Sequence, residues 1–131
     1  MTFLVDSDWI ADWLQGRPDA VRLLNTLIPD GIAISLVTYG EIYEGIYYGR
    51  DPKTTERVFR NLLRGVTVLP LNRSTMRRFA RLRGQLRAAG QLIGDPDLLI
   101  AATALEHNLT LVTRNRRDFE RIPNLALYPS R

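Results

Sequence analysis

The sequence contains no cysteine and a single histidine, and these two absences narrow the chemistry that it can support. Without cysteine, disulfides and thiolate metal sites are excluded. Zinc also fits poorly, because zinc sites depend on cysteine and histidine ligands. Any bound metal must therefore be held by oxygen atoms, which favours Mg²⁺ or Mn²⁺.

Long apolar segments are also missing from the sequence. No apolar run approaches the roughly 20 residues that a membrane-spanning helix needs. Residues 1–5 are too short and uncharged to serve as a signal peptide. We therefore expect a soluble, cytoplasmic protein with no membrane partner.

Lysine is nearly absent, and arginine replaces it. Lys53 is the one lysine among 18 basic residues, and the formal net charge is +4. Guanidinium groups match phosphate oxygens in shape and stack on bases, which favours a nucleic-acid partner. A GC-rich coding sequence would produce the same bias, so the arginine content alone leaves both interpretations open.

Short apolar runs alternate with segments of helical periodicity along the whole chain. A length of 131 residues indicates one domain over residues 1–131, large enough to bury a core. The alternation predicts an α/β fold in which helices cover both faces of a parallel sheet. The predicted strands are residues 3–5, 32–34, 66–69 and 109–113, with a weaker fifth at 125–127.

Four acidic residues are placed by this pattern at or near one edge of the sheet. Asp6 ends the first strand, Glu41 lies on the helix after the second, and Asp118 follows the fourth. Ligands of such sheets bind beyond the carboxyl ends of the strands, so these three share that edge. Asp97 opens the helix before strand four and joins them only if its helix start lies against the same edge.

Four carboxylates at one point would favour a bound cation. Two unit charges about 5 Å apart repel by roughly 3 kcal/mol at an effective dielectric near 20. Either some of the acids stay protonated, or a divalent metal binds and activates a water molecule that can attack a phosphodiester. This chemistry requires no serine, cysteine or histidine nucleophile.

Each acid also has an interpretation that involves stability alone. Asp95 could cap the helix, with Pro96 as its first residue and Asp97 as a first-turn acid. Glu41 could complete a capping box with Thr38. Asp118 could cap a short turn or pair with Arg116 or Arg117. The sequence by itself leaves these alternatives open.

Three stretches resemble the PIN-domain ribonucleases of the VapC type, the toxins of type II toxin–antitoxin pairs. They are LVDSD at 4–8, SLVTYGEI at 35–42 and, most specifically, IGDPDLLIAATALEHNLTLVTRNRRDF at 93–119. The resemblance covers essentially the whole chain. It implies a PIN-like three-layer α/β/α fold with a five-stranded parallel sheet and a Mg²⁺- or Mn²⁺-dependent endoribonuclease.

The resemblance also implies roles for individual residues. Asp6, Glu41, Asp97 and Asp118 would be the catalytic acids, with Asp6 and Asp97 as metal ligands. Thr113 and Asn115 match polar positions that line the same pocket. The chain departs from the family pattern at Asp8, at Arg114 and at Asp95, which would be a fallback ligand beside Asp97.

RNA and protein partners are expected as well. Two groups of arginines are predicted to hold RNA phosphates: Arg73, Arg77, Arg78, Arg81 and Arg87 on the long helix at 74–89, and Arg114, Arg116, Arg117 and Arg121 around the fourth acid. Arg114, Arg116 and Arg117 are favoured because of their place in the chain. The resemblance implies a VapB-type antitoxin and a homodimer, and the aromatic face of Tyr39, Tyr43 and Tyr47 is interpreted as core or interface. Rival functions are a phosphotransferase or receiver domain, disfavoured because Lys53 is far from any strand end, and a non-catalytic RNA-binding module.

Overall fold

The computed structural model describes residues 1–129, and its centre is a five-stranded sheet in which every strand is parallel to its neighbours. The strand order is β3-β2-β1-β4-β5. The prediction of a five-stranded parallel sheet is therefore confirmed. In chain order the strands are β1 (Phe3–Val5), β2 (Ile32–Ser35), β3 (Val66–Leu69), β4 (Thr110–Val112) and β5 (Leu127–Tyr128).

Helices connect the strands and begin at recognisable capping signals. The side chains of Ser35 and Asn72 accept hydrogen bonds from backbone amides in the first turns of α3 and α5, and proline occupies the first turn of α2, α4 and α6. The helices are α1 (Ser7–Leu14), α2 (Pro18–Leu27), α3 (Leu36–Tyr47), α4 (Pro52–Leu63), α5 (Arg73–Ala88), α6 (Asp95–Glu106) and α7 (Arg116–Phe119), with a 3-10 turn at Ile28–Asp30.

Successive residues of a strand pack into two separate hydrophobic cores, one on each face of the sheet. Leu4 of β1 packs with helices α5, α6 and α7, whereas the next residue, Val5, packs with helices α1 to α4. Side chains alternate between the faces of a strand, so one short apolar strand supports both layers. This arrangement is the predicted three-layer α/β/α architecture. Each helix within residues 1–129 is too short or too polar to span a bilayer.

Some local predictions were wrong at helix and strand ends. The spacing of apolar residues in 74–89 predicts a buried stripe that includes Met76 and Ala89, but Met76 is 39% exposed and Ala89 lies beyond the helix on the surface. Strand β5 overlaps the predicted segment only at Leu127. In contrast, an asparagine just after a helix favours a left-handed backbone, and Asn108 has a φ of 53° where α6 turns into β4.

The sheet topology fixes where a ligand can bind. From central β1, the chain proceeds outward through β2 and β3 on one side and through β4 and β5 on the other. The order therefore reverses between β1 and β4, and a crevice forms beyond the carboxyl ends of those strands. Asp6 and Thr113 are the residues that directly follow the two strands.

Candidate active site

Asp6 is fixed at the tip of β1 by bonds from three directions. Its backbone amide donates to the carbonyl of Val112 on β4 at 2.9 Å, which continues the sheet by one residue. Its Oδ1 accepts from the backbone amide of Ser7 at 2.7 Å, which caps α1. Its Oδ2 accepts from the hydroxyl of Thr113 at 2.7 Å, and the residue is only 6% exposed. The carboxylate is thus held in one orientation at the switch in strand order.

Glu41 reaches the same place from α3. The Ser7 hydroxyl donates to Glu41 Oε1 at 2.5 Å and lies 3.3 Å from Asp6 Oδ1. The capping-box interpretation of Glu41 is wrong, because α3 begins at Leu36 and the oxygen of Ser35 caps the amide of Thr38 at 3.0 Å. With the cap supplied by Ser35, the Glu41 carboxylate is free to point toward Asp6.

Asp97 and Asp118 are joined by one amide group. The two N–H groups of the Asn115 side chain donate to Asp97 Oδ2 and to Asp118 Oδ2, each at 3.1 Å. Helix α6 begins at Asp95 after Gly94, so Asp95 is not the cap, and Asp97 lies in its first turn. The start of α6 therefore does lie against the carboxyl edge of the sheet, as the functional interpretation of Asp97 requires.

The electrostatic environment of Asp97 includes the other three acids. The pKa of Asp97 is raised, first by burial and then by the charge of Asp6, with smaller contributions from Glu41 and Asp118. The Asn115 hydrogen bond opposes the rise by stabilising the carboxylate. Three acids that are far from Asp97 in the sequence therefore lie close enough in the fold to repel its carboxylate.

The chemistry of this donor set fits a hard divalent cation. Within residues 1–129, no three acidic or histidine side chains are gathered tightly enough to hold an ion by themselves. Ser7, Thr113 and Asn115 lie between the carboxylates and keep them apart. Mg²⁺ usually takes only one or two carboxylates directly and keeps several waters, so this looser arrangement agrees with its preferences.

The sequence of this chain matches a known protein family. The family model described as "PIN domain" covers residues 3–125. The chain belongs to the PIN-domain family. Ribonuclease VapC2 of Rickettsia felis is 33% identical over 129 residues, which is 97% of this chain and 96% of the relative. Ribonuclease VapC1 of Haemophilus influenzae (strain R2866) is 29% identical over 127 residues, 95% of each chain.

Solved structures show the same likeness in three dimensions. The crystal structure of VapBC2 from Rickettsia felis, bound to a DNA fragment from its promoter, contains a chain that superposes with a TM-score of 0.88. The two chains are 27% identical, and the superposition covers 97% of each. The resemblance of the sequence to VapC-type PIN domains is therefore confirmed over nearly the whole chain.

In this PIN-domain protein, Arg114 links the turn after β4 to the first two helices. Its guanidinium donates to Asp12 at 2.8 Å and to Asp19 at 3.0 Å, and it stacks 3.6 Å above the Trp9 ring. Its backbone amide donates to Asp8 at 3.0 Å. Arg114 stands between Thr113 and Asn115, so these contacts hold the two residues that orient the acids.

Of the other sequence-predicted residues, Asp95, Arg116 and Arg117 make no hydrogen bond or ion pair with the four acids in the described part of the chain. Asp95 is exposed and forms an ion pair of 3.3 Å with Arg83 of α5. Arg116 donates to the carbonyl of Pro129 at 3.0 Å and lies 3.5 Å from Glu120. Arg117 is exposed and, in the described part of the chain, makes no hydrogen bond or ion pair. RNA contact by the predicted arginines stays a prediction.

Several contributors to the pocket were missed from the sequence. Ser7 could have been found, because a residue that follows a strand-end acid and begins a helix lies next to the acid. Trp9, Asp12 and Asp19 gave no comparable signal. Asp19 meets Arg114 across 95 positions of sequence, and only the packing of α1 against α2 brings them together.

Asp8 makes the stability of the metal-free protein depend on pH. Burial, and then the charge of Asp6, raise its pKa from 3.8 to about 6. An acid whose pKa is higher in the folded state stabilises the fold below its unfolded pKa and loses this effect as it ionises. We therefore expect the melting temperature to fall between pH 4 and about 6, and to fall less in the Asp8→Asn variant.

The control is Asp30→Asn, which removes an exposed carboxylate at the opposite edge of the sheet, before β2. It should keep the wild-type dependence on pH. Equal slopes for wild type and Asp8→Asn, measured by thermal unfolding in EDTA, would contradict the assignment.

Proposed function

We propose that this PIN-domain protein is a metal-dependent endoribonuclease and the toxin of a VapBC-type toxin–antitoxin pair, acting in the cytoplasm. The observation that carries the proposal is the meeting of Asp6, Glu41, Asp97 and Asp118 at the carboxyl edge of the sheet. The names of the relatives, Ribonuclease VapC1 and Ribonuclease VapC2, support the same activity.

Each residue of the pocket has a distinct part in the proposed reaction. Asp6 and Asp97 would hold Mg²⁺ or Mn²⁺, since Asp6 is rigidly oriented and Asp97 is the acid whose pKa its three neighbours raise. A bound divalent cation supplies a better water nucleophile and neutralises charge on the phosphoryl oxygens. Glu41 and Asp118, on the open side, would accept the proton and orient the attacking water.

Ser7, Thr113 and Asn115 orient the acids rather than react. Each donates a hydrogen bond to at least one carboxylate of the pocket. Catalytic groups must be held close to the productive geometry, because small displacements reduce the rate strongly. His107 lies at the opposite end of α6 from Asp97 and takes no part.

The two rival functions explain the residues at the carboxyl edge of the sheet less well. A phosphotransferase or receiver domain would need a lysine near the phosphate, and Lys53 lies on the exposed surface of α4. A non-catalytic RNA-binding module would not require four acids to converge. An RNA hydrolase therefore accounts for more of the observed contacts than either alternative.

A VapB-type antitoxin is the proposed protein partner, because the similar structure from Rickettsia felis is described as VapBC2. A small apolar groove of about 130 Å³ lies beside Glu41 and is lined by Leu14, Ile42 and Ile46. It would accept side chains of such a partner. Tyr47 is 64% exposed and Tyr48 is 88% exposed, whereas the rings of Tyr39 and Tyr43 pack at an angle against the ring of Phe59. The proposed homodimer would use the exposed part of this helix.

The decisive experiment is an RNA-cleavage assay of the purified chain with and without metal. We expect single-stranded RNA to be cut in the presence of Mg²⁺ or Mn²⁺. EDTA should abolish cleavage, and excess metal should restore it. Cleavage that persists in EDTA, or intact RNA in both metals, would contradict the proposal.

A further inference from the structure

A second concave surface lies outside the acid pocket, between α5 and the segment 121–124. Its volume is about 420 Å³, within the range of roughly 300–1,000 Å³ that is usual for ligand sites. Leu82 and Leu86 form an apolar floor, and Arg78, Arg81 and Arg121 stand at its rim. We name this surface the α5 cleft.

The α5 cleft carries an excess of positive charge. Helix α5 contains six arginines and no acidic residue. Two of the six have acidic partners on α6: Arg78 pairs with Glu106 at 3.0 Å, and Arg83 pairs with Asp95 at 3.3 Å. In residues 1–129 the other four, Arg81 among them, have no acidic partner. The cleft therefore presents charge that is available to an anionic ligand.

The α5 cleft begins at the edge of the acid pocket. Arg121, which lines the cleft, is 3.9 Å from Asp118, and Asp118 accepts the hydrogen bond of Asn115 inside the pocket. A strand whose scissile phosphate lay at the acids would thus meet a guanidinium group immediately beyond them. The Arg121 contact is a loose ion pair, whereas Arg114 and Arg116 make hydrogen bonds of 2.8 to 3.0 Å to other groups of the protein.

We propose that the α5 cleft binds the stretch of RNA that flanks the scissile phosphate. Arg81 and Arg121 contact its phosphates. Guanidinium groups match the geometry of phosphates and can also stack on the planes of bases, which favours a nucleic acid over an acidic peptide. This inference rests on the proposed RNA-cleaving function and adds the path of the substrate.

The test measures RNA affinity as a function of salt in protein that binds but does not cut. In the Asp97→Asn background, Arg81→Ala with Arg121→Ala is compared by fluorescence anisotropy on a labelled single-stranded oligoribonucleotide. Each lost phosphate contact reduces the slope of log K against log salt by about 0.7. We expect a slope smaller by about 1.4 and affinity weaker by at least about tenfold near 0.1 M salt.

The matched control removes two charges from the other helical layer. Arg57→Ala with Arg64→Ala changes one exposed arginine in α4 and one at its C-cap, and it should leave the slope close to that of the parent. The pair Arg81→Lys with Arg121→Lys keeps both charges and should restore most of the slope. Circular dichroism and melting temperature establish that every variant is folded.

Three outcomes would overturn the inference. Equal losses in the cleft and control variants would mean that RNA is held by diffuse charge. Unchanged RNA affinity in the cleft variant would mean that the strand leaves by another path. Unchanged RNA affinity with reduced affinity for an acidic peptide would make the cleft a peptide site. Failure of the wild type to cleave RNA would instead refute the proposed function, so the two failures are distinguishable.

Discussion

Replacing Asp97 by asparagine should reduce RNA cleavage by at least about 100-fold, beyond the loss that is usual for residues that only support a metal ligand. Asparagine has nearly the same shape, but it carries no charge to hold a cation. Affinity for RNA should persist or rise, because a negative charge near the phosphates is removed. Single-turnover cleavage and anisotropy binding on the same RNA measure the two effects separately.

The same substitution should stabilise the metal-free fold. Burial and the charge of Asp6 raise the pKa of Asp97, which means that its ionised form is disfavoured in the native protein. Asp97→Asn removes this repulsion, and the melting temperature in EDTA at neutral pH should increase. Asp30→Asn removes a distant carboxylate and should change neither cleavage nor stability. Full cleavage by Asp97→Asn would show that Asp97 is not required.

Replacing Arg114 by alanine should lower the catalytic rate by about 10- to 100-fold, the range found when groups that orient metal ligands are removed. The substitution removes the side-chain contacts with Asp12, Asp19 and Trp9. The turn that carries Thr113 and Asn115 therefore loses these anchors to α1 and α2. Asp6, Asp97 and Asp118 then lose the fixed orientation that these two neighbours give them. The effect should fall on kcat and on the Mg²⁺ concentration required, with little change in KM.

Two variants separate this positioning role from a direct contact with RNA. Arg117→Ala removes an exposed charge from the same region and should leave the Mg²⁺ requirement unchanged. Arg114→Lys keeps the charge but replaces a planar fork with a single ammonium group, so an intermediate rate is expected. If Arg114→Ala changed only KM and the salt dependence of binding, the residue would be a phosphate contact instead.

The local pattern of the sequence located most of the secondary structure correctly. Residues 3–5 and 66–69 are strands with the predicted bounds, because compact apolar runs between turn signals leave few alternatives. Predictions were weaker where helix periodicity was extended to the ends of an element. Met76 has the right spacing for the core, but it lies near the start of α5 and is 39% exposed.

The order of strands and helices along the chain was sufficient to put Asp6, Glu41 and Asp118 on one edge, because parallel strands all end on the same side. The order of elements could not show whether Asp97 lies with these three acids, because the position of a helix start depends on how the helix packs. Contact between α5 and α6 fixes that start, and Asn115 then bridges Asp97 to Asp118.

The sequence by itself determined the fold class, the oxygen-only donor set and the family. Only the tertiary structure showed which arginines are paired with acids of the protein and which can bind a substrate. Arg114 is bound by Asp12 and Asp19, while Arg81 has no acidic partner among the described residues. The physical reason is range: strand and helix preferences act over a few neighbouring residues, whereas ion pairing depends on groups that only the packed layers bring together.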